Sequence, residues 1–557
     1  MKASTRAPRA SAATALTNRQ LYPSRSLLYL TLTGAALLRM SIFLYTDGFT
    51  LLQDRPELST PLNSFKALME TRYLFRHPPT LTSSSSFQHH IQQVSDPYSA
   101  GTIHHSPLLL PALNYALEQL HMHGNELPVA IIWTAADVVA GWFLFRICHA
   151  REVATRARQT HLFAWDQSRA IKVLAMFLFN PYTVATCISR SSMSLEIVAL
   201  LAAIHYAMSG SAALLAVWWA ASSLLSLYPV LLLPMLIQLC RRRAGDLVYE
   251  REITRIGKDA SPTDTKAQRQ LGFLVDRVRF AKRFAVVKCL VLTPAALAGG
   301  LWISRAIALS PGDPSIAAVL LNLPNILQVR LEHGWAWTGQ VYGSVVFATD
   351  LTPNLGLWWY FFLEIFDHFR DFFLLTFNVH LASYVLPFSI KYRQDPLFGM
   401  TLMTGVIAVF KSYPTLGDHA LFLALLSLHS QIFEYLRYPL VSALTYAYCT
   451  CLSPAFHHLW LNAGSANANF FYAITLVWAL GGGMLVLDAM WAWGRERWER
   501  ERKPIRSTAG RKGEEHVDGD ASVDTVASDA SSNSPTAASE APLEKGDQLK
   551  KRVVVQV

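Results

Sequence analysis

The chain has 557 residues, 52% of them hydrophobic, 11% aromatic and only 16% charged. A soluble chain carries about a quarter charged residues, so the composition points to a membrane protein whose loops hold the charge. The formal net charge of +10 comes with no nucleic-acid-binding motif, which excludes that class and leaves Lys- and Arg-rich loops on one side of a bilayer as its source.

In chain order, a basic tail at 1–25 runs directly into an apolar stretch at 26–46, which reads as a signal-anchor span rather than a cleaved leader. Further windows of apolar residues lie at 126–147, 170–189, 193–209, 211–224, 225–240, 285–307, 371–390, 397–412, 416–434, 438–456 and 471–493. The expected fold is an all-α polytopic membrane bundle over 26–493, with about twelve transmembrane helices. The stretch 106–120 is apolar but short and contains Pro107 and Pro111, so it is expected to be interfacial or re-entrant. Tyr228-Pro229 is expected to split 211–240 into two passes.

Basic residues cluster in the N-terminal tail, in the link 146–172, in the insert 241–283, at Lys391 and Arg393, at Arg437 and after 493. Placing all of them in the cytosol gives one path, with both termini cytosolic. The loops 47–105, 308–370, 412–416 and 457–470 then share the opposite face, the lumen of an internal membrane. The stretch 504–549 is rich in Ser, Ala, Asp, Glu and Gly, and the cytosolic tail 494–557 that holds it is expected to be disordered. Arg39, Asp137, Glu196 and Asp488 fall inside spans, where charge is costly unless paired. The six cysteines form no C-x-x-C pair and have no histidines at zinc spacing, so no metal, cofactor or catalytic thiol is expected.

Three polar signals fall on the lumenal side. In DLTPNLGLWWYFFLEIFDHF, 350–369, Thr352 then Pro353 reads as a helix N-cap and first position, followed by an aromatic interfacial helix. Glu364 and His368, four apart, would share a face of that helix. In FKSYPTLGD, 410–418, Thr415 and Asp418 form a capping box, and Lys411 is placed to snorkel to the lumenal surface. In HHLWLNAGSANANFFYA, 457–473, Asn467 and Asn469 follow a run of small residues; they can cap the last span or offer amides to a ligand. The candidate ligand contacts are therefore Asp350, Thr352, Asn354, Trp358, Trp359, Tyr360, Glu364, His368, Tyr413, Asp418, Ser465, Asn467, Asn469 and Phe470. Three helix N-termini, each partly positive and ringed by aromatics, would suit an anionic glycolipid headgroup if they meet in space.

These runs, with DPYSAGTIHHSPLL (96–109), FLFNPYTVATC (177–187) and SLYPVLLLP (226–234), resemble the PIG-U family, the multispanning subunits of the glycosylphosphatidylinositol (GPI) transamidase of the endoplasmic reticulum. The resemblance implies a non-catalytic subunit that holds the GPI glycolipid, or the C-terminal attachment signal, among membrane lipids. It implies as partners the cysteine-protease-like catalytic subunit PIG-K, with PIG-T, PIG-S and the GPI anchor attachment protein. The family is also similar to GT-C mannosyltransferases, which supplies a GT-C-like scaffold and an alternative function, sugar transfer. Those enzymes carry a D-x-D pair after the first span; here Asp47, Asp54 and Asp96 are not so spaced. A transporter is disfavoured because the intramembrane charges follow no repeat symmetry.

Overall fold

The computed structural model describes residues 25–77, 98, 103–158, 169–259, 265–310, 316–321, 324, 334–347 and 351–514. Every regular element among them is helical. The tail before Arg25, the acidic residues Asp96 and Asp350, and the segment 515–557 lie outside the described residues.

Among the described residues five helices are long and apolar enough to cross a membrane: Ser26–Tyr45, Leu127–Val153, Phe273–Ala308, Asp367–Lys391 and Ala468–Arg502. A sixth is counted if Arg169–Leu178 and Pro181–Ile188, bent by 46°, form one broken span. Met193–Ser209, Ala212–Leu225, Pro396–Phe410 and Leu416–Ser427 are apolar but shorter. The windows behind the expected count of twelve thus found apolar helices, several of which are below the length of about 20 residues that a bilayer asks for.

We label the helices that frame the site. The first is α1 (Arg25–Tyr45), then α2 (Phe65–Arg76) and α3 (Leu109–His123). At 15 residues α3 is about 22 Å long, shorter than the ~30 Å hydrocarbon core, and it stops where Gly124 takes a left-handed φ of 61°. Next come α4 (Leu127–Arg158), α5 (Arg169–Leu178) and α6 (Pro181–Ile188). The break between α5 and α6 is written in Asn180-Pro181: the Asn180 side chain accepts the Tyr182 N–H at 3.0 Å, and proline supplies the first helical position. Replacing Asn180 with alanine should cost about 1 kcal/mol through loss of this cap, read as a lowered thermal midpoint of the purified protein.

The hairpin α7 (Met193–Ser209) and α8 (Ala212–Leu225) follows, and then a 3-10 turn at Tyr228–Leu232. This turn divides 211–240 as Tyr228-Pro229 predicts, and Trp219 ties it down by donating to the Pro229 carbonyl at 3.0 Å. The next two helices give the basic insert its structure. α9 (Leu233–Asp259) and α10 (Thr265–Ala308) run far into the stretch 241–283 and pair as an antiparallel helical hairpin. Arg, Lys and Glu are good helix formers, so the basic run continues the helix instead of ending it.

The C-terminal half comprises α11 (Trp358–Glu364), α12 (Asp367–Ser383), α13 (Pro396–Phe410), α14 (Leu416–Ser427), α15 (Pro439–Leu461) and α16 (Ala468–Glu514). The last helix continues past 493, into a stretch expected to lack structure, as far as Glu514.

Arg39, Asp137, Glu196 and Asp488, the four charges expected inside spans, each have a partner. Arg39 on α1 pairs with Asp137 on α4 at 2.8 Å, both buried. Asp488 on α16 accepts the Arg437 and Tyr438 backbone N–H groups at 2.9 Å, serving as an anion at the start of α15. Glu196 on α7 faces Lys411 and hydrogen-bonds Ser226.

Candidate functional site

The three polar motifs picked out by sequence meet in one place. The hub is the segment 410–418, between α13 and α14, where every residue except Phe410 is buried. The expected capping box is present: the Thr415 N–H and hydroxyl both donate to Asp418 Oδ2, at 2.8 and 2.9 Å. The other carboxylate oxygen, Oδ1, accepts from Lys411 Nζ at 2.6 Å. Lys411 therefore does not snorkel to the surface; a buried carboxylate seven residues away outcompetes water because it brings both charge and position. Lys411 also lies 5.6 Å from the Tyr228 ring, and Tyr228 and Ser412 share hydrogen bonds of 3.1 Å. The Leu416 N–H donates to the Glu57 carbonyl at 2.9 Å, which fastens the hub to the loop after α1. His419 accepts from Trp478 Nε1 at 3.0 Å, so its Nδ1–H faces the Thr415 carbonyl at 3.3 Å.

Above the hub sits the first motif, and its local structure differs from expectation. Thr352-Pro353 does not cap a helix; α11 begins at Trp358. Asn354 competes successfully for the backbone. Its amide donates to the Thr352 carbonyl at 2.9 Å and accepts the Gly356 N–H at 2.6 Å, holding 352–356 as a turn. Gly356 is required there because a Cβ would stand 2.7 Å from Pro414 Cδ. The Thr352 N–H meets the Tyr413 hydroxyl at 3.2 Å, and Trp358 Nε1 donates to the Phe410 carbonyl at 2.9 Å. The helix breaks again at Ile365, which is extended, so Glu364 ends α11 while His368 lies in α12. The two do not share a helical face, and both are exposed.

The third motif closes the corner. Trp359 is buried and stacks on Trp460 of α15, with centroids 6.0 Å apart and planes at 22°. Phe471 and Tyr472 of α16 pack on the same indole at 5.8 and 5.7 Å. The Tyr472 hydroxyl donates to the Leu357 carbonyl at 3.2 Å. Tyr360 lies against Tyr472 at 4.7 Å, and its hydroxyl donates to Asn469 Oδ1. Asn467 accepts the Asn469 N–H at 3.1 Å, a cap at the start of α16.

The candidates thus divide by depth. Asn354, Trp358, Tyr413 and Asp418 are buried and hydrogen-bonded within the protein, and Trp359 is buried by ring packing, so they build the frame. Ser465, Asn467, Asn469 and Phe470 are exposed, and Tyr360 is half-buried beside them. Thr352 is exposed near Tyr413, and Asp350 lies outside the described residues. The result is an open ledge of aromatic faces and side-chain amides, suited to sugar hydroxyls and acyl chains. Among the described residues no set of His, Cys, Asp and Glu converges as a metal site.

Comparison with known proteins decides the family. The family description "GPI transamidase subunit PIG-U" matches residues 33–308 and 314–478. The chain belongs to the PIG-U family. It is similar to the GPI transamidase component GAB1 of Saccharomyces cerevisiae, 29% identical over 437 residues, covering 78% of this chain and 86% of the relative. It is also similar to the human GPI-anchor transamidase component PIGU, 27% identical over 487 residues, covering 85% and 94% of the two chains. A Schizosaccharomyces pombe GAB1 homolog is 27% identical over 434 residues, covering 78% and 85%.

Sequence reasoning about this PIG-U family member left out several members of the corner. Trp460 and Tyr472 stood inside a quoted motif, but only their packing on Trp359 reveals a role. Glu57 carried no local signal; it acts at long range, on Leu416 through its backbone and on Ser453 through its carboxylate at 2.5 Å. Away from the corner, the HHSPL run places His105 in a separate apolar cluster, buried with no partner on either ring nitrogen. Burial, and secondarily His104, push its imidazole down to about 3, so it is neutral at physiological pH.

Proposed function

We propose that this chain is the non-catalytic subunit of the GPI transamidase that seats the GPI glycolipid for attachment to proteins. The observation that carries this reading is the convergence of α11, the 410–418 hub and the 465–472 segment into one ledge with exposed amides. The glycan would lie against Tyr360, Asn467 and Asn469, with Ser465 and Phe470 at the rim and the acyl chains running down the apolar helices. The attachment signal of the acceptor protein is a second occupant for the same ledge. The partners under this reading are PIG-K, which supplies the catalytic cysteine, PIG-T, PIG-S and the GPI anchor attachment protein. We place the chain in the endoplasmic reticulum membrane as a GT-C-like bundle of about twelve spans, both termini in the cytosol and the ledge in the lumen.

Sugar transfer draws no support from the loop after α1. Asp47 and Asp54 are both exposed, and Asp54 lies 3.8 Å from the exposed Lys66. The test is the Asn467→Ala/Asn469→Ala double variant. Two lost polar contacts should weaken glycolipid seating by roughly tenfold. Surface display of GPI-anchored proteins should fall while the other subunits still co-purify with the chain. Full display from an assembled complex would sink the reading.

A further inference from the structure

The α9–α10 hairpin carries a concentration of positive charge that the ledge does not use. Its register follows from three cross-contacts: Arg277 bonds Glu252 at 2.7 Å, the Lys282 side chain lies over Gly245, and Cys240 hydrogen-bonds Cys289. In an antiparallel pair this puts Arg241, Arg242 and Arg243 level with 285–287. Together with Lys282, Arg283 and Lys288 they lie in a slab about 9 Å thick along the helix axes. No acidic residue occurs in α9 from Leu233 to Gly245, or in α10 from Arg277 to Ala308. Arg243 reaches down to Glu250 at 2.8 Å. Arg241, Lys282, Arg283 and Lys288 have no carboxylate partner among the described residues.

The position of this slab identifies its occupant. The Phe273–Ala308 stretch is a candidate membrane span with few buried residues. Its exposed face beyond the slab is continuously apolar, through Leu290, Val291, Trp302 and Ile303. The cations therefore begin where a lipid-facing surface ends, at headgroup depth. Phe280 and Phe284 stack there at 5.9 Å, both exposed, and Lys288 Nζ lies 4.4 Å over the Phe284 ring. A face that is apolar on one side and predominantly positive on the other, with Asp246 the one carboxylate at the slab's edge, matches a phospholipid with an anionic headgroup.

We propose that Arg241, Lys282, Arg283 and Lys288 form a docking belt for an anionic phospholipid headgroup. The belt lies on elements outside the ledge, and it stands or falls independently of glycolipid seating. The experiment uses the full-length chain in nanodiscs of phosphatidylcholine doped with phosphatidylinositol 4-phosphate, with protein-retained lipid counted by native mass spectrometry. Wild type should retain the phosphoinositide well above its share of the bilayer. Each cation near the surface contributes about fivefold, so Arg283→Gln/Lys288→Gln should lower the enrichment by roughly 30-fold. The charge-keeping Arg283→Lys/Lys288→Arg should preserve it. Arg241→Gln alone, a single exposed change, should lower it about fivefold and serves if the double variant aggregates. Enrichment that is equal in wild type and the glutamine variants, or a wild type that shows none over phosphatidylcholine, overturns the belt.

Discussion

Asp418→Ala is expected to be among the most damaging single substitutions in the chain. It removes the carboxylate that neutralises Lys411, and both side chains are buried. An orphaned buried charge costs about 3–5 kcal/mol. It also deprives the Thr415 N–H and hydroxyl of their shared acceptor, which opens the start of α14. The loss reaches the ledge because the same segment presents the Phe410 carbonyl to Trp358 and the Tyr413 hydroxyl to Thr352. Purified Asp418→Ala should therefore show a large drop in thermal midpoint and in monodisperse yield. Lys411→Met/Asp418→Leu should recover much of it, since an apolar pair of similar volume carries no desolvation penalty. Recovery should be incomplete, because Thr415 still lacks its acceptor and Glu196 loses the lysine it faces. If the single alanine variant melts like wild type, the hub is not held by this pair.

How much of this could be read in the sequence depends on the range of the interaction. The capping box at Thr415 and Asp418 was legible because it is a three-residue relation. The Tyr228-Pro229 break was legible because proline has one backbone meaning. The start of α11 was not. Thr-Pro is a fair N-cap signal, but Asn354 sits one residue further on and turns the chain back on itself with two hydrogen bonds. The partner that makes this turn favourable, Tyr413, lies 61 residues away. Lys411 was misplaced for a related reason. Snorkelling is the default for a lysine at the end of a span, and only the folded chain brings Glu196, Asp418 and Tyr228 around it. The helicity of the insert 241–283 is not legible from its charge, which bears on sidedness and says little about helicity. The candidate set itself was legible as three motifs, but the division between frame and ledge was not. Trp359 and Tyr360 are neighbours in one aromatic run, and the packing of Trp460 and Phe471 alone decides that the first is buried and the second faces outward.

The same reasoning makes a sharper demand of the other buried ion pair. Arg39 does more than neutralise Asp137. Its Nη2 donates to the Leu178 carbonyl at 2.9 Å. In an unbroken helix that carbonyl would take the Tyr182 N–H, but the Asn180 side chain has captured that donor. Arg39 therefore staples the break between α5 and α6 as well as cancelling a charge. Arg39→Leu should cost about 3–5 kcal/mol, because Asp137 is left buried and unpaired. Arg39→Leu/Asp137→Leu should recover most of that, stopping about 1 kcal/mol short of wild type because the Leu178 carbonyl stays unsatisfied. Adding Asn180→Ala to the double variant should then be less harmful than in wild type, since the freed Tyr182 N–H and the Leu178 carbonyl can satisfy each other across the kink that Pro181 keeps. Thermal midpoints of wild type and the four variants, Asn180→Ala alone included, check the whole chain of inference. Equal losses in the single and double leucine variants would show that the charge pair is not what Arg39 contributes, and a fully additive effect of Asn180→Ala would show that the staple and the cap do not share a carbonyl.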